Sequence, residues 1–355
     1  MMEGLNMKRL FIFVLALICL ASTGFAGDNN GRKKIIFYNW TAYIDEGVVK
    51  DFEKKFNTEV VQKFFQSADE RDENLMRNGG KGYDVFMLTA ADLPPYTERG
   101  WLMPLGESKI PNLKYMDRRF IDPYPKVDEY AVPYLWGTTG LIWRSDIIKE
   151  PITSWRQFYL PKAEWKGHVM LINQYRIGFG FALKAMGYSY NSEIPDEVAQ
   201  AGKLLINQKP FVQTYGYLKT DAESGIVSGD TWIGQTWSGD ALLLKERNPA
   251  IRYIVPKEGG EIMLDFLVVS SFSKEFDLAA AFVNWLHEPK NAAACAESLQ
   301  FATPNKEAVK LLPKTFLDNP IINPNMETLN KSEAQKTVNV GIQRQMITLW
   351  SQLIH

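Results

Sequence analysis

The chain has 355 residues, a formal net charge of −1, 13% aromatic residues, three histidines and two cysteines. Near-neutral charge without a basic cluster argues against a nucleic-acid partner, and this length suggests about two domains. The histidines lack metal-ligand spacing to cysteines or acid pairs, so no metal centre or other cofactor is expected, and neither a glycine-rich phosphate loop nor a Gly-x-Ser-x-Gly elbow occurs.

The first element, residues 1–26, reads as a secretion signal. Lys8 and Arg9 precede the apolar run Leu10 to Leu20, and Ala21-Ser22-Thr23-Gly24-Phe25-Ala26 offers small residues for cleavage after Ala26. The run is too short to span a bilayer. Cys19 inside it would be the anchored residue of a lipoprotein, but Leu17-Ile18 fits the small-residue rule poorly, so cleavage ranks first. The exported chain then keeps only Cys295, in the helical-looking stretch Ala292 to Ala296, where a buried, inert thiol is expected.

Ile35-Ile36-Phe37-Tyr38 reads as a buried strand, and Val48, Val49, Phe52 and Phe56 recur at helical spacing. Glu59 to Phe64 predicts a strand, Leu75-Met76 closes a polar helix, and Asp84 to Leu88 predicts a third strand. Alternation of this kind points to a parallel sheet covered by helices. A second set follows Trp136-Gly137-Thr138-Thr139-Gly140. Its expected strands are Leu141 to Trp143, Val169 to Ile172, Trp232 to Trp237, Ile251 to Val255 and Leu264 to Val269. Its helices are Phe181 to Met186, Glu197 to Leu205 and Leu278 to Leu286. The fold class is therefore α/β, with two lobes joined by strands that cross near Pro133 to Thr139 and return near Glu261 to Asp265. Residues 33–138 plus 264–306 form the first expected lobe, and 139–263 plus 307–355 the second.

The phrase Phe37-Tyr38-Asn39-Trp40-Thr41-Ala42-Tyr43 sets two aromatic faces where the first strand gives way to a loop. Loops at strand ends hold ligands in α/β proteins. Aromatic faces suit a cation wrapped in hydrocarbon, because the ring quadrupole attracts the charge while the ring body covers methylenes. Core packing of Trp40 and a staple role for Tyr43 are the structural alternatives. Asp240 falls in a first helical turn behind Ser238, a good N-cap, so the helix dipole accounts for it as well as a ligand does. Asp265 interrupts an apolar strand, where an unpaired carboxylate is costly. A ligand cation or a buried Arg or Lys would satisfy it equally.

The order of seven segments resembles the periplasmic spermidine/putrescine-binding proteins of polyamine ABC importers. These are the aromatic phrase above, Tyr83-Asp84-Val85, Ala131 to Gly140, Thr153-Ser154-Trp155, Trp237-Ser238-Gly239-Asp240, Pro256 to Gly260 and Thr303-Pro304-Asn305. The resemblance implies a two-lobed, type II-like periplasmic binding protein, not an enzyme. It would work as a monomer with a small organic cation in the interlobe cleft and ABC importer membrane subunits as partners. By matching position, the implied ligand residues are Trp40, Tyr43 and Thr89 from the first lobe, Trp237 and Asp240 from the second, and Asp265. Phe301 replaces a usual tyrosine, and Gln335 matches a pocket glutamine. The chain departs from the spermidine pattern at Ala42, Ala91 and Met263. Gln174 and Ile177 stand where that branch carries acids. This loss favours a shorter diamine, a different cation or weak polyamine binding. Arg176 between them admits a ligand carboxylate, which keeps an amino-acid-like or thiamine-like solute open. A sensor without transport is a further alternative, and a secreted enzyme would need a nucleophile–base pair that is not visible.

Overall fold

The computed structural model describes residues 32–89 and 91–354. The expected signal 1–26, with Cys19, lies outside the described residues, as does His355. Nine strands form one sheet: β1 (Lys33–Trp40), β2 (Thr58–Phe65), β3 (Val85–Thr89), β4 (Ala131–Arg144), β5 (Val169–Ile172), β6 (Val212–Gly216), β7 (Ile233–Trp237), β8 (Ile251–Ile254) and β9 (Glu261–Val269). Their order is β2-β1-β3-β9-β4-β7-β5-β6, with β8 paired to β4.

The amino-terminal half of this order follows from alternation. β1 pairs in parallel with β2 and β3, and the helices Glu46–Phe56 and Ala68–Arg77 make the crossovers. Asp45 caps the first of these by accepting from the Val48 amide (2.9 Å). That helix buries Val48, Val49 and Phe52 and leaves its charged face to solvent.

Two antiparallel strands tie the halves together. Ala131–Pro133 of β4 pairs with Val268–Phe266 of β9, and Trp136–Thr139 pairs with Leu264–Glu261. Between these stretches Tyr134-Leu135 bulges opposite Asp265. Such a bulge bends the strand and turns side chains locally. β9 continues onto β3 and β4 onto β7. β4 and β9 include the segments Pro133 to Thr139 and Glu261 to Asp265. β4 is buried along its whole length, as a strand between two packed lobes must be.

The buried apolar side chains form two clusters. Phe37, Phe52, Phe86, Phe266 and Phe282 belong to the first; Trp155, Phe158, Phe181, Tyr190 and Met346 belong to the second. Ala308, Leu312, Phe316, Ile321 and Ile322 belong to the first cluster, as do Ile226, Ala241, Leu244 and Ile251. The closing helix Val340–Ile354 packs its Ile342, Met346, Trp350 and Leu353 in the second core. The helix expected from Phe181 begins earlier, at Tyr175. Gly178 hides its start in the sequence. In the fold this glycine lets Trp350 lie against the helix, since a Cβ there would fall 2.2 Å from the indole. Cys295 is buried. Among the described residues, no helix is long and apolar enough to cross a membrane.

Candidate ligand-binding site

At the end of β1 the chain turns through Ala42, which takes a left-handed φ of 54°. That conformation costs a non-glycine residue about 1 kcal/mol. Buried Asn39 holds the turn. Its side chain accepts from the Trp40 amide (2.8 Å) and donates to the Tyr43 carbonyl (3.2 Å). Trp40 then packs on Phe65 (ring centroids 4.4 Å), and Tyr43 sits edge-on to Phe301 (5.5 Å).

These rings open onto a cavity of about 520 Å³ between the lobes. The cavity brings together all nine residues singled out in the sequence. Trp40, Tyr43, Thr89 and Phe301 line it from the first lobe, Gln174, Trp237 and Asp240 from the second, Asp265 from β9, and Gln335 from the last crossing segment. Sequence reasoning missed Phe65, Asp92, Tyr124, Tyr217 and Glu261, which line it too. Among the described residues, no lysine, arginine or histidine lines this cavity.

The second-lobe wall is braced. Tyr217 stacks on Trp237 (5.5 Å, 19° between planes), and its hydroxyl accepts from Gln174 Nε2 (2.9 Å). Tyr217 is 47% exposed, and no local pattern marks it. Gly239 explains the Trp-Ser-Gly-Asp order, because a Cβ there would meet the Phe301 ring at 2.4 Å. Ser238 is not the N-cap that the sequence suggests. Trp237 holds that position and Ser238 opens the helix Ser238–Arg247, where its Oγ accepts from the Thr138 amide (3.3 Å).

The carboxylates fall into two kinds. Asp92 accepts from the Thr89 amide and hydroxyl (3.1 and 2.8 Å) and bridges Arg71 (2.8 Å). Thr89 therefore spends its hydroxyl within the protein. Asp265, paired with Thr89 across the sheet, is only 3% exposed. Among the described residues, no lysine or arginine bridges it, and Arg71 is committed to Asp72 and Asp92. Burial pushes Asp265 up to about 7, against the opposing pull of Tyr43 and Arg71. The alternative of a dedicated buried cation is thereby answered for Asp265. Burial likewise pushes Asp240 up to about 6. That is the opposite direction to the shift a helix N-terminus alone gives an acid. The Tyr43 phenol stays protonated far above its ordinary range, through burial and then the charges of Asp265 and Asp240. Its buried hydroxyl makes no hydrogen bond of standard geometry but lies close enough to Asp265 to favour that carboxylate's charge.

Arg176 does not face the cavity. Its Nη2 donates to Asn191 Oδ1 (3.1 Å) and the Lys336 carbonyl (2.9 Å), and its Nη1 to Met346 Sδ (3.5 Å). The ligand carboxylate that the sequence left open thus has no arginine to meet there. Asn191 also accepts from the Lys336 amide (2.8 Å) and donates to the Ala334 carbonyl (2.9 Å). Arg176 and Asn191 so fasten the segment that carries Gln335. Two of the three histidines are structural. His168 stacks on Trp232 (4.0 Å), and His287 bonds the Val283 and Pro133 carbonyls (2.6 and 2.8 Å) beneath the crossing.

A model of bacterial extracellular solute-binding proteins matches residues 47–324. The spermidine/putrescine-binding periplasmic protein of Salmonella typhimurium is 28% identical over 337 residues, covering 94% of this chain and 95% of that protein. A putrescine-binding periplasmic protein of Pseudomonas aeruginosa is 26% identical over 370 residues, covering 98% and 99%. In structure, the chain is similar to a spermidine/putrescine ABC transporter substrate-binding protein of Streptococcus pneumoniae, with a TM-score of 0.81 and 27% identity over 90% of this chain and 98% of that one.

Proposed function

The chain belongs to the bacterial extracellular solute-binding protein family, and on that premise we propose that it captures a linear polyamine, a putrescine-like diamine or spermidine, and passes it to the membrane subunits of an ABC importer. The observation that carries the ligand class is the cavity lining: Asp240, Glu261 and Asp265 beside Trp40, Tyr43 and Trp237, with no cationic side chain among them. Buried carboxylates need partners. A polyamine brings ammonium groups for the acids and methylenes for the aromatic faces in one molecule.

Asp265 and Asp240 each take an ammonium in this reading. Trp40, Trp237 and Phe301 enclose the chain between them, the Tyr43 hydroxyl donates to Asp265, and Gln174 and Gln335 close the polar rim. Capture is reversible and makes no covalent bond. The lobes close on the ligand and exclude water. They comprise residues 33–138 with 264–306 and 139–263 with 307–355. The protein acts as a monomer in the periplasm after loss of residues 1–26. The names of the relatives in Salmonella and Pseudomonas support both the ligand class and the compartment. Isothermal titration with putrescine, cadaverine, spermidine and spermine tests the ligand class. Micromolar or tighter binding of at least one is expected, and heat from none of the four would sink it.

A further inference from the structure

We propose that Glu261 is a third ammonium-binding carboxylate, which stands in for the acids absent at Gln174 and Ile177 and makes the cavity select a triamine over the shorter diamine that their loss suggested. This assignment rests on the polyamine reading and extends it to a residue outside the aromatic phrase and the Trp-Ser-Gly-Asp turn. Glu261 opens β9 and Asp265 lies four residues on, so the strand's period of two sets both on one face, about 13 Å apart between Cα atoms. The register separates them further in kind. Asp265 pairs with Thr89 of the first lobe, whereas Glu261 pairs with Thr139, itself paired with Trp237 of the second. Both acids line the cavity, spaced along the strand that crosses between the lobes, with Asp240 a third acid on the second-lobe wall.

Its neighbours leave the Glu261 charge without a bridging cation. Glu261 is 7% exposed. One carboxylate oxygen accepts from Thr139 Oγ1 (2.7 Å). Arg176 lies near enough to favour its ionisation but donates to Asn191, Lys336 and Met346 instead. The other groups facing it are the phenols of Tyr190, Tyr124 and Tyr253. Glu333, which pairs with Glu261 through the backbone, shows the contrast. It bridges Lys184 (3.1 Å) and accepts from Ser189 Oγ (2.6 Å) and the Tyr190 amide (2.9 Å). Of these adjacent glutamates, one carries its own cation and lines no part of this cavity. The other lines the cavity and carries none. The main chain around Glu261 is pinned, since Ile262 donates to the Glu333 carbonyl and Glu333 to the Gly260 carbonyl (both 3.0 Å), and Thr139 orients the carboxylate. An acid anchored along the same strand as Asp265 can measure ligand length.

The test is titration of wild type, Glu261→Gln and Glu261→Asp with putrescine and with spermidine, alongside their melting temperatures. The wild type is expected to bind spermidine more tightly than putrescine. Glu261→Gln should lower the ratio of spermidine to putrescine affinity at least about tenfold, the usual effect of losing one charged hydrogen bond. Glu261→Asp, which keeps the charge on a shorter arm, should lower it less. An unchanged ratio overturns the assignment. So does equal loss of both amines with a lowered melting temperature, which would make Glu261 a counter-charge for Arg176. A wild type that binds putrescine but not spermidine overturns this assignment alone. One that binds neither overturns the polyamine reading and this assignment with it.

Discussion

Asp92 and Asp265 lie on either side of Thr89, yet they solve the problem of a buried charge in opposite ways. Around Asp92 the protein supplies its own cation. Arg71, 1% exposed, bridges Asp72 and Asp92 (2.8 Å each), and Tyr96 donates to Asp72 (2.6 Å). Burial alone would lower the Arg71 pKa, but Asp92 and Asp72 overcome it and hold the guanidinium charged. Around Asp265 and Asp240 no cation is supplied, and burial raises both carboxyls. A partly buried acid with its cation built in is architecture. A buried acid lining a cavity without one is, in the proposed reading, a place kept for a cation from outside.

The largest expected effects separate the two clusters directly. Arg71→Met removes the buried centre of the network and leaves two partly exposed carboxylates without a partner, so unfolding free energy should fall by about 2–3 kcal/mol in denaturant titrations. Asp265→Asn should leave the empty protein at least as stable at pH 8, because it removes a charge that burial disfavours. It should weaken polyamine binding by about 3 kcal/mol, roughly a hundredfold, in calorimetry. A stability loss in Asp265→Asn as large as that in Arg71→Met would erase the distinction.

The pH dependence sharpens it. A folded-state pKa raised from about 4 to about 7 means that the empty protein holds a proton on Asp265 that the unfolded chain has released. The stability from this group is complete below about pH 4 and disappears as pH rises toward 7. Asp240 adds the same sign up to about 6. Ammonium binding needs the ionised acids, so affinity should run the other way, falling as pH drops from 8 to 5 by up to about tenfold per unit for each group. Thermal melts at pH 5 and pH 8, with and without spermidine, check both signs. Ligand stabilisation should be larger at pH 8. Equal ligand shifts at the two pH values would mean that the acids are already ionised in the empty cavity.

A smaller effect probes the wall rather than the charges. Gly239→Ala would set a methyl 2.4 Å from the Phe301 ring, costing about 1–3 kcal/mol of stability as the ring is displaced toward the cavity. Polyamine affinity should drop about tenfold while its pH profile keeps its shape. A changed profile would show that the aromatic wall also sets the state of the acids.

Much of this architecture is legible locally. The helix over Glu46–Phe56 announces itself through Val48, Val49 and Phe52, and β1 to β3 through short apolar runs between polar helices, because burial on one face writes its period into the chain. Parts of β4 and β9 are legible in Pro133 to Thr139 and around the isolated Asp265. The start of the helix at Tyr175 is not legible, since Gly178 serves a contact with Trp350 almost the whole length of the lobe away in sequence. Tyr217 is silent for a similar reason. Nothing beside it in the chain shows that it will stack on Trp237.

From sequence alone came the aromatic turn at Trp40 to Tyr43, the alternation that builds the lobes, and the family resemblance that brought Asp240 and Asp265 forward. These features depend on near neighbours in the chain, where periodicity and motif order are visible. Only the tertiary structure decided which acids are provided for. Arg71 reaches Asp92, Lys184 reaches Glu333, and Arg176 is taken up by Asn191 and Lys336, while Asp240, Glu261 and Asp265 line the cavity without a cation to bridge them. Compensation of a buried charge is settled by what lies within a few ångströms in space, and the partners that settle it here are up to 160 residues away in the chain.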